Sequence, residues 1–295
     1  MTTWPAGARC AVMLTFDFDS ETNWLSRDAS NWKRPGTLSQ GTYGANVGVP
    51  KLLDLLSEAG LRATFFVPGW VAEHRTSRVE AIIAGGHEVG HHGYLHKWVD
   101  PDTPDEEEEE FSRGLEALKS SVGVTPIGFR APAGETSPNL LRLLSRSGFI
   151  YDSSLMDDIN PYRHRLADGT PGPIELPWHW SLDDAPFLIS SIKVPRPIFT
   201  NEHILSIWQA EFRAIYQWGG LYNLIMHPQA TGRPSRVDML RQHIAYMRQF
   251  PGVWFATCEE VAKTWAQSHP ADGATERFSP FLKMPDSEAR RGPGS

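Results

Sequence analysis

Cysteine is scarce: the 295 residues hold two, Cys10 and Cys258. Two thiols make neither a disulfide-rich scaffold nor a four-thiolate zinc site. No apolar run approaches the roughly 18 residues that a membrane-spanning helix requires. Positive charge is not in excess: 28 Lys and Arg stand against 35 Asp and Glu, a formal net charge of −7. That balance leaves no electrostatic footprint for nucleic acid or an anionic membrane surface. The first residues show no charged leader followed by a long apolar stretch, so no secretory signal is expected and the expected location is the cytoplasm. The first apolar run carries no Gly-x-Gly-x-x-Gly turn, which removes the usual support for a dinucleotide fold. What is present is 40% hydrophobic residues, with 11 Trp and 14 Phe. This is the composition of an ordinary globular protein with ample aromatic material for a core and a ligand cleft.

Short apolar runs alternate with helical patterns. Strands are expected at 9–16, 61–67, from His87 onward, and at 126–130, 149–153, 174–177, 221–227 and 253–257. Helices are expected at 47–59, 77–84, 137–147, 202–218, 235–250 and 258–266. Another starts at Thr103-Pro104-Asp105-Glu106, with Thr103 as the N-cap and the acidic run 106–110 as a solvated first-turn face. Seven or eight strand–helix units without a low-complexity linker predict one α/β domain over residues 1–268, most simply a closed or nearly closed parallel barrel. A doubly wound open sheet is the alternative. Residues 269–295, rich in Pro, Gly and charge, read as a surface-draped or frayed tail ending in Gly292-Pro293-Gly294-Ser295. The oligomeric state is open, a homo-oligomer included.

The chemistry-bearing residues fall at the carboxyl ends of the expected strands: Asp17 and Asp19, His92 and His96, Arg130, Asp152 and His227. In a parallel barrel these ends share one rim, where active sites form. His92 and His96, four apart, together with an oxygen of Asp17 or Asp19, make a two-His, one-carboxylate set with positions open for water and substrate. Zn²⁺ held there would bring the pKa of a bound water down to about 7. Asp17 and Asp19 lie on the same side of an extended chain, so one can hold metal while the other accepts a proton. Two carboxylates so close raise one pKa unless a cation is near, and both the metal and Arg130 could supply it. His227 could protonate a departing nitrogen from across the site. Each residue has an ordinary explanation when taken alone, as a strand-end cap, a salt bridge or a buried imidazole.

His87-Glu88-Val89-Gly90-His91 matches the zinc-protease pattern His-Glu-x-x-His, which needs a regular helix. Gly85, Gly86, Gly90 and Gly93 surround it, each costing up to about 1 kcal/mol in a helix. The segment reads as a strand leaving a turn, and His87 as a structural residue.

Taken together, the motifs resemble the polysaccharide deacetylase (NodB-homology, carbohydrate esterase family 4) superfamily. Thr15-Phe16-Asp17-Phe18-Asp19 resembles its first motif with one residue inserted between the aspartates. His92-Gly93-Tyr94-Leu95-His96 resembles the second, with Gly in place of the hydroxyl residue. Residues 129–134 resemble the third, with Ala133 where an aromatic usually stands. Tyr151-Asp152-Ser153-Ser154 resembles the fourth and Ile225-Met226-His227 the fifth. The resemblance implies a distorted (β/α)7 barrel and a metal-dependent hydrolase of non-peptide carbon–nitrogen bonds. It makes Asp17 the catalytic base and Asp19, His92 and His96 the ligands of Zn²⁺, with Co²⁺ or Ni²⁺ as alternatives. Arg130 would orient Asp17, the Ala133 N–H would help hold the oxyanion, and His227 would be the acid, with Asp152 tuning Arg130 or His227. Glu135 lies near this rim without a role in the family pattern.

The Asp-x-Asp form and the insert Leu176 to Asp184 look like a branch that includes peptidoglycan deacetylases and is similar to cyclic imide hydrolases and metal-independent allantoinases. Trp178 and Trp180 of that insert either close a pocket over substrate or pack in the core. The expected activity is N-deacetylation of an acetylamino sugar or related amide. The alternatives are hydrolysis of a cyclic imide or ureide and a catalytically idle carbohydrate-binding barrel. The partner is then a small-molecule or carbohydrate substrate.

Overall fold

Side chains alternate across the first strand, and that alternation sets both the core and the site. The computed structural model describes residues 4–275. In β1 (Cys10–Asp17), Val12, Leu14 and Phe16 pack among Leu52, Leu56, Trp208 and Phe212 of the surrounding helices. Ala11 and Met13 face the other way, into a second cluster with Tyr151, Ile174, Leu221, Val261 and Trp265. Thr15 and Asp17 continue that inward row to the carboxyl end of the strand. β1 is buried on both faces throughout, as expected of a parallel strand covered by helices.

The other strands are β2 (Thr64–Val67), β3 (Glu88–His91), β4 (Gly128–Phe129), β5 (Tyr151–Asp152), β6 (Tyr162–Arg165), β7 (Pro171–Glu175), β8 (Leu221–Met226) and β9 (Val253–Phe255). They form one curled sheet in the order β6-β7-β5-β4-β3-β2-β1-β8, with β9 pairing to the amino-terminal half of β1. Every pairing is parallel except β6 with β7. β7 and β8 are bridged by the insert rather than paired. Asp183 forms an isolated bridge to Ile225, and the Asn223 amide donates to the carbonyls of Leu176 and Pro177, both at 3.2 Å. The result is the distorted (β/α)7 barrel that the motif order implies, and the open doubly wound sheet falls away.

Several local expectations are corrected. A helix at Pro35–Tyr43 runs through a π-turn into Val49–Ala59, so the helix expected at 47–59 is the last part of a longer one. The hairpin strand β6, only four residues long and with two arginines, escaped notice. Thr103 precedes the helix Pro104–Val122 without capping it; its hydroxyl donates instead to the Asp100 carbonyl. The acidic run is not uniformly solvated. Glu107 is buried and accepts from Ser137 and Asn139, and Glu110 accepts the backbone N–H groups of Tyr94 and Leu95. Among the described residues no helix is long and apolar enough to cross a membrane. Residues 271–275 dock on β6 through Thr275 and Ala274, and the terminal Gly-Pro-Gly-Ser lies outside the described residues.

Candidate active site

Four strand ends, those of β1, β3, β4 and β8, deliver their polar residues to one cleft of about 230 Å³ at the carboxyl rim. Asp17, the last residue of β1, reaches it with Asp19, two residues on and fully buried. The loop after β3 adds His92 and His96. Asp19 Oδ1 lies 3.5 Å from His92 Nε2 and 3.6 Å from His96 Nε2. Ligands on a tetrahedral zinc with bonds of about 2.1 Å stand ~3.4 Å apart, so this spacing suits a small divalent cation. The hydrogen bonds support the same fit. His92 Nδ1–H donates to the Arg130 carbonyl at 2.6 Å, which turns an unprotonated Nε2 toward Asp19. Asp19 Oδ1 and His92 Nε2, which face one another there, are buried without a hydrogen-bond partner. An orphaned buried polar atom costs about 1–3 kcal/mol, which a bound cation would offset.

Burial works against the Asp19 carboxylate, but His96, His92 and His227 outweigh it and hold its pKa far below the usual carboxylate range. Burial depresses His96 to about 4, against the pull of Asp19. A carboxylate and a neutral imidazole are the protonation states a metal requires.

Arg130, immediately after β4, is almost fully buried beneath the site. Its guanidinium donates to Asp17 Oδ1 at 2.8 Å, to Thr15 at 3.0 Å and to the carbonyl and hydroxyl of Ser153 at 3.1 and 3.0 Å. It also lies 4.2 Å over the Phe66 ring. Asp17 Oδ2 is left open toward the Asp19–His92–His96 group, 3.8 Å from His92 Nε2. A charge buried this deeply is retained only when fully partnered, and removing Arg130 would leave Asp17 uncompensated at roughly 3–5 kcal/mol.

On the opposite wall His227 follows β8. Its Nδ1–H donates to Asp184 Oδ1 at 2.7 Å, and its Nε2 stands 3.6 Å from Asp19 Oδ2. Asp184 is fixed in turn by the His227 backbone N–H at 3.0 Å and the Thr231 hydroxyl. Burial alone would lower the His227 pKa, but Asp184, with help from Asp183 and Asp19, raises it well above the ordinary value. Asp183, 3.7 Å from the same nitrogen, is pushed up to about 7 by burial, with Asp184 adding to the shift and His227 opposing it.

Ala133 lines the cleft in a left-handed conformation (φ +58°), as does His96 (φ +61°); Ser20, next to Asp19, has φ +51°. Non-glycine residues rarely adopt this region, and such strain gathers at functional sites. Gly134 beside Ala133 also has positive φ, and a Cβ there would sit 2.8 Å from the Trp178 ring. Trp178 is buried, its indole N–H donating to the Ser154 carbonyl at 3.0 Å. Trp180 is 41% exposed at the mouth, with the two rings 4.7 Å apart and 75° to one another. Trp178 thus both packs and walls the cleft.

Asp152 is placed differently from the expectation. It makes no hydrogen bond to Arg130 or His227. Its Oδ1 accepts from the Ser153 N–H and the Ser154 hydroxyl, and Ser153 grips Arg130, so its influence passes through that turn. It belongs to a second buried group with His164 and Glu175, in which burial pushes Glu175 up to about 8. The His-Glu-x-x-His segment forms no zinc site either. His87 accepts from the Ala63 N–H, Glu88 accepts from Thr64 and Tyr151, and His91 donates to the Phe111 carbonyl. Asp183, Asn23, Arg27, Trp98 and Arg196 join the cleft without having been singled out, and Asp184 backs it through His227. Only the Asp183-Asp184 doublet, closing the Trp-rich insert, offered a signal.

The polysaccharide deacetylase family model matches residues 8–151. A peptidoglycan deacetylase of Helicobacter pylori is 30% identical over 280 residues, 86% of this chain and 95% of that protein. The solved structure of a candidate polysaccharide deacetylase from Mycobacterium smegmatis superposes with a TM-score of 0.88 at 38% identity, covering 96% of each chain. An allantoinase of known structure shares the fold, with a TM-score of 0.79 at 23% identity over 90% of this chain and 93% of that one.

Proposed function

The chain belongs to the polysaccharide deacetylase family, a hydrolase acting on carbon–nitrogen bonds other than peptide bonds, and on that premise we propose that it removes an acetyl group from an acetylamino sugar or a related small amide with the help of a divalent cation. The observation that carries this reading is the unsatisfied Asp19–His92–His96 set lying between a carboxylate with one free oxygen and a carboxylate-backed imidazole. In this reading residues 1–268 form the catalytic unit. Asp19, His92 and His96 would hold the cation, Zn²⁺ before Co²⁺ or Ni²⁺, which when bound would supply Lewis-acid polarisation of the amide carbonyl and a more acidic water.

Asp17 is the base. Arg130 occupies Oδ1, so Oδ2 takes the proton of the attacking water. The Ala133 N–H meets the oxyanion that develops on the carbonyl oxygen. His227, protonated and held by Asp184, gives its Nε2 proton to the departing amine. Arg130 also keeps Asp17 ionised beside Asp19, which two neighbouring carboxylates would otherwise resist. Trp178 and Trp180 wall the side where the acyl-bearing ring rests.

A second reading, ring-opening of a cyclic imide or ureide, is favoured by size. A cleft of about 230 Å³ suits one small ring better than a length of polymer. The test combines cation content per chain by mass spectrometry with acetate release from acetylated amino sugars and ring-opening of small imides. One cation per chain, lost in His96→Ala, with acetate released by the wild type and not by a cation-loaded Asp17→Asn variant, is the expected result. Full turnover without bound cation, or a fully active Asp17→Asn, would sink it. Ring-opening without acetate release selects the second reading.

A further inference from the structure

Two guanidinium groups stand at the mouth of the cleft without an anion of their own. Arg27 and Arg196 both line it, beside Trp98, Trp180 and Glu135. Among the described residues neither arginine forms an ion pair, and Glu135 pairs with neither. The acid next to Arg27 in the chain, Asp28, is already committed: it accepts from the Ser30 N–H at 2.7 Å and pairs with Lys193. That Lys193–Asp28 contact, joined by Lys193 to the Ser30 hydroxyl at 3.1 Å, buckles the segment around 190–198 onto the segment around 26–33. It brings both arginines to one rim. The 190–198 segment is also shaped from within, the Arg196 N–H donating to Ser190 and the Val194 N–H to Ser191. Arg27 lies 5.5 Å from the Trp98 ring centre, which limits where its head group can go.

The electrostatics of this pair are unbalanced. Crowding by the cleft walls and the charge of Arg196 both disfavour the Arg27 cation, and Asp19 is the acid that opposes them. Asp19 is also the carboxylate of the cation set, so a bound divalent ion would spend its charge. The rim would then hold two like charges facing a third cationic centre, an arrangement that a ligand anion relieves.

We propose that Arg27 and Arg196 form a carboxylate-binding subsite, and that the substrate carries a carboxylate a few bonds from the amide it surrenders. This deepens the amide-hydrolase reading above and rests on it for the identity of the scissile bond. A planar guanidinium fork matches a carboxylate bidentately, which a lysine could not do. The subsite would make the enzyme select acidic N-acyl compounds from the larger pool of neutral ones.

The test uses three N-acetyl amino acids of increasing length (glycine, β-alanine and γ-aminobutyrate), each beside its primary amide. Binding to the cation-loaded protein is measured by calorimetry at low salt, and acetate release is followed in parallel. We expect at least one acid to bind about 10-fold or more tightly than its own amide, and Arg27→Gln and Arg196→Gln each to shrink that preference toward parity. Both side chains are exposed, so the substitutions leave the fold intact. Equal binding of acids and amides across the series, or a preference that survives the double substitution, overturns the proposal. Acetate release without an acid preference leaves deacetylation standing and removes the subsite. An acid preference without acetate release keeps the subsite and removes the deacetylation reading.

Discussion

Glu110 sits on a helix 14 residues after the His96 it serves, and replacing it should loosen the cation site without touching a ligand. Its Oε2 accepts from the N–H groups of Tyr94 and Leu95 at 3.0 and 2.9 Å. These two peptides lie between His92 and His96, and the loop they stabilise ends on a left-handed histidine. That conformation costs on the order of 1–3 kcal/mol. Two charge-assisted hydrogen bonds contribute about 1.5–3 kcal/mol each, enough to hold the strained loop in place before any ion arrives. In Glu110→Ala the loop relaxes when empty, and the incoming cation must rebuild it. The expected loss is about 10- to 100-fold in cation affinity, the range for groups that support metal ligands. In free energy this is about 1.4–2.7 kcal/mol. Glu110→Gln keeps one oxygen for both N–H groups and should fall between the variant and wild type. Competition with a chelator at fixed pH gives the affinities, and Glu109→Gln, on the exposed side of the same helix, is the control. If Glu110→Ala binds zinc within twofold of wild type and melts at the same temperature, the loop does not depend on this clamp and the reasoning fails.

Asp184→Asn removes the charge behind His227 while keeping its shape; turnover should drop about 10- to 100-fold with cation content unchanged, and unaltered turnover would remove Asp184 from the acid's support. Glu88→Gln should lower the melting temperature, since Glu88 is a half-buried acceptor for Thr64 and Tyr151, yet leave turnover intact; a folded but dead variant would return the His-Glu-x-x-His segment to the chemistry. Burial depresses the pKa of His243 to about 3, against about 6.5 unfolded. Between those values the unfolded chain binds a proton that the folded one refuses, so stability falls as pH drops below 6.5, by about 1.4 kcal/mol per pH unit from this residue. Urea titrations at pH 7 and pH 5 should show a smaller loss for His243→Phe, where Tyr222 keeps its bond to the Trp208 carbonyl; equal losses would contradict a neutral buried His243.

The rim was legible because a parallel barrel converts chain order into geometry. Each strand end contributes its next polar residues to the same face, so Asp17, Asp19, His92, His96, Arg130 and His227 could be grouped before their distances were known. Only the structure showed that Ala11 and Met13 pack on the opposite side of β1 from Val12, Leu14 and Phe16. Local chemistry sufficed as well to reject the His-Glu-x-x-His helix, since the glycines around it already disfavoured one. Asp152 was grouped with the rest for the same reason, but its side chain turns to Ser153 and Ser154 rather than across the cleft.

Residue order alone determined the strand–helix alternation, the motif spacing and the positions of the chemical groups along the rim. These properties come from short-range rules: side-chain period, glycine's cost in a helix, and the polarity of strand ends. Tertiary structure alone decided the partners. Asp184 meets His227 across 43 residues and Arg130 meets Asp17 across 113, separations over which no periodicity speaks. It also turned two acids of a seemingly solvated helix face inward, because the loop after β3 and the next helix cover them. And it set Arg27 beside Arg196, through a lysine–aspartate contact spanning 165 residues. Which groups a chain owns is written along it; which of them share a dielectric and a distance is decided when the sheet curls.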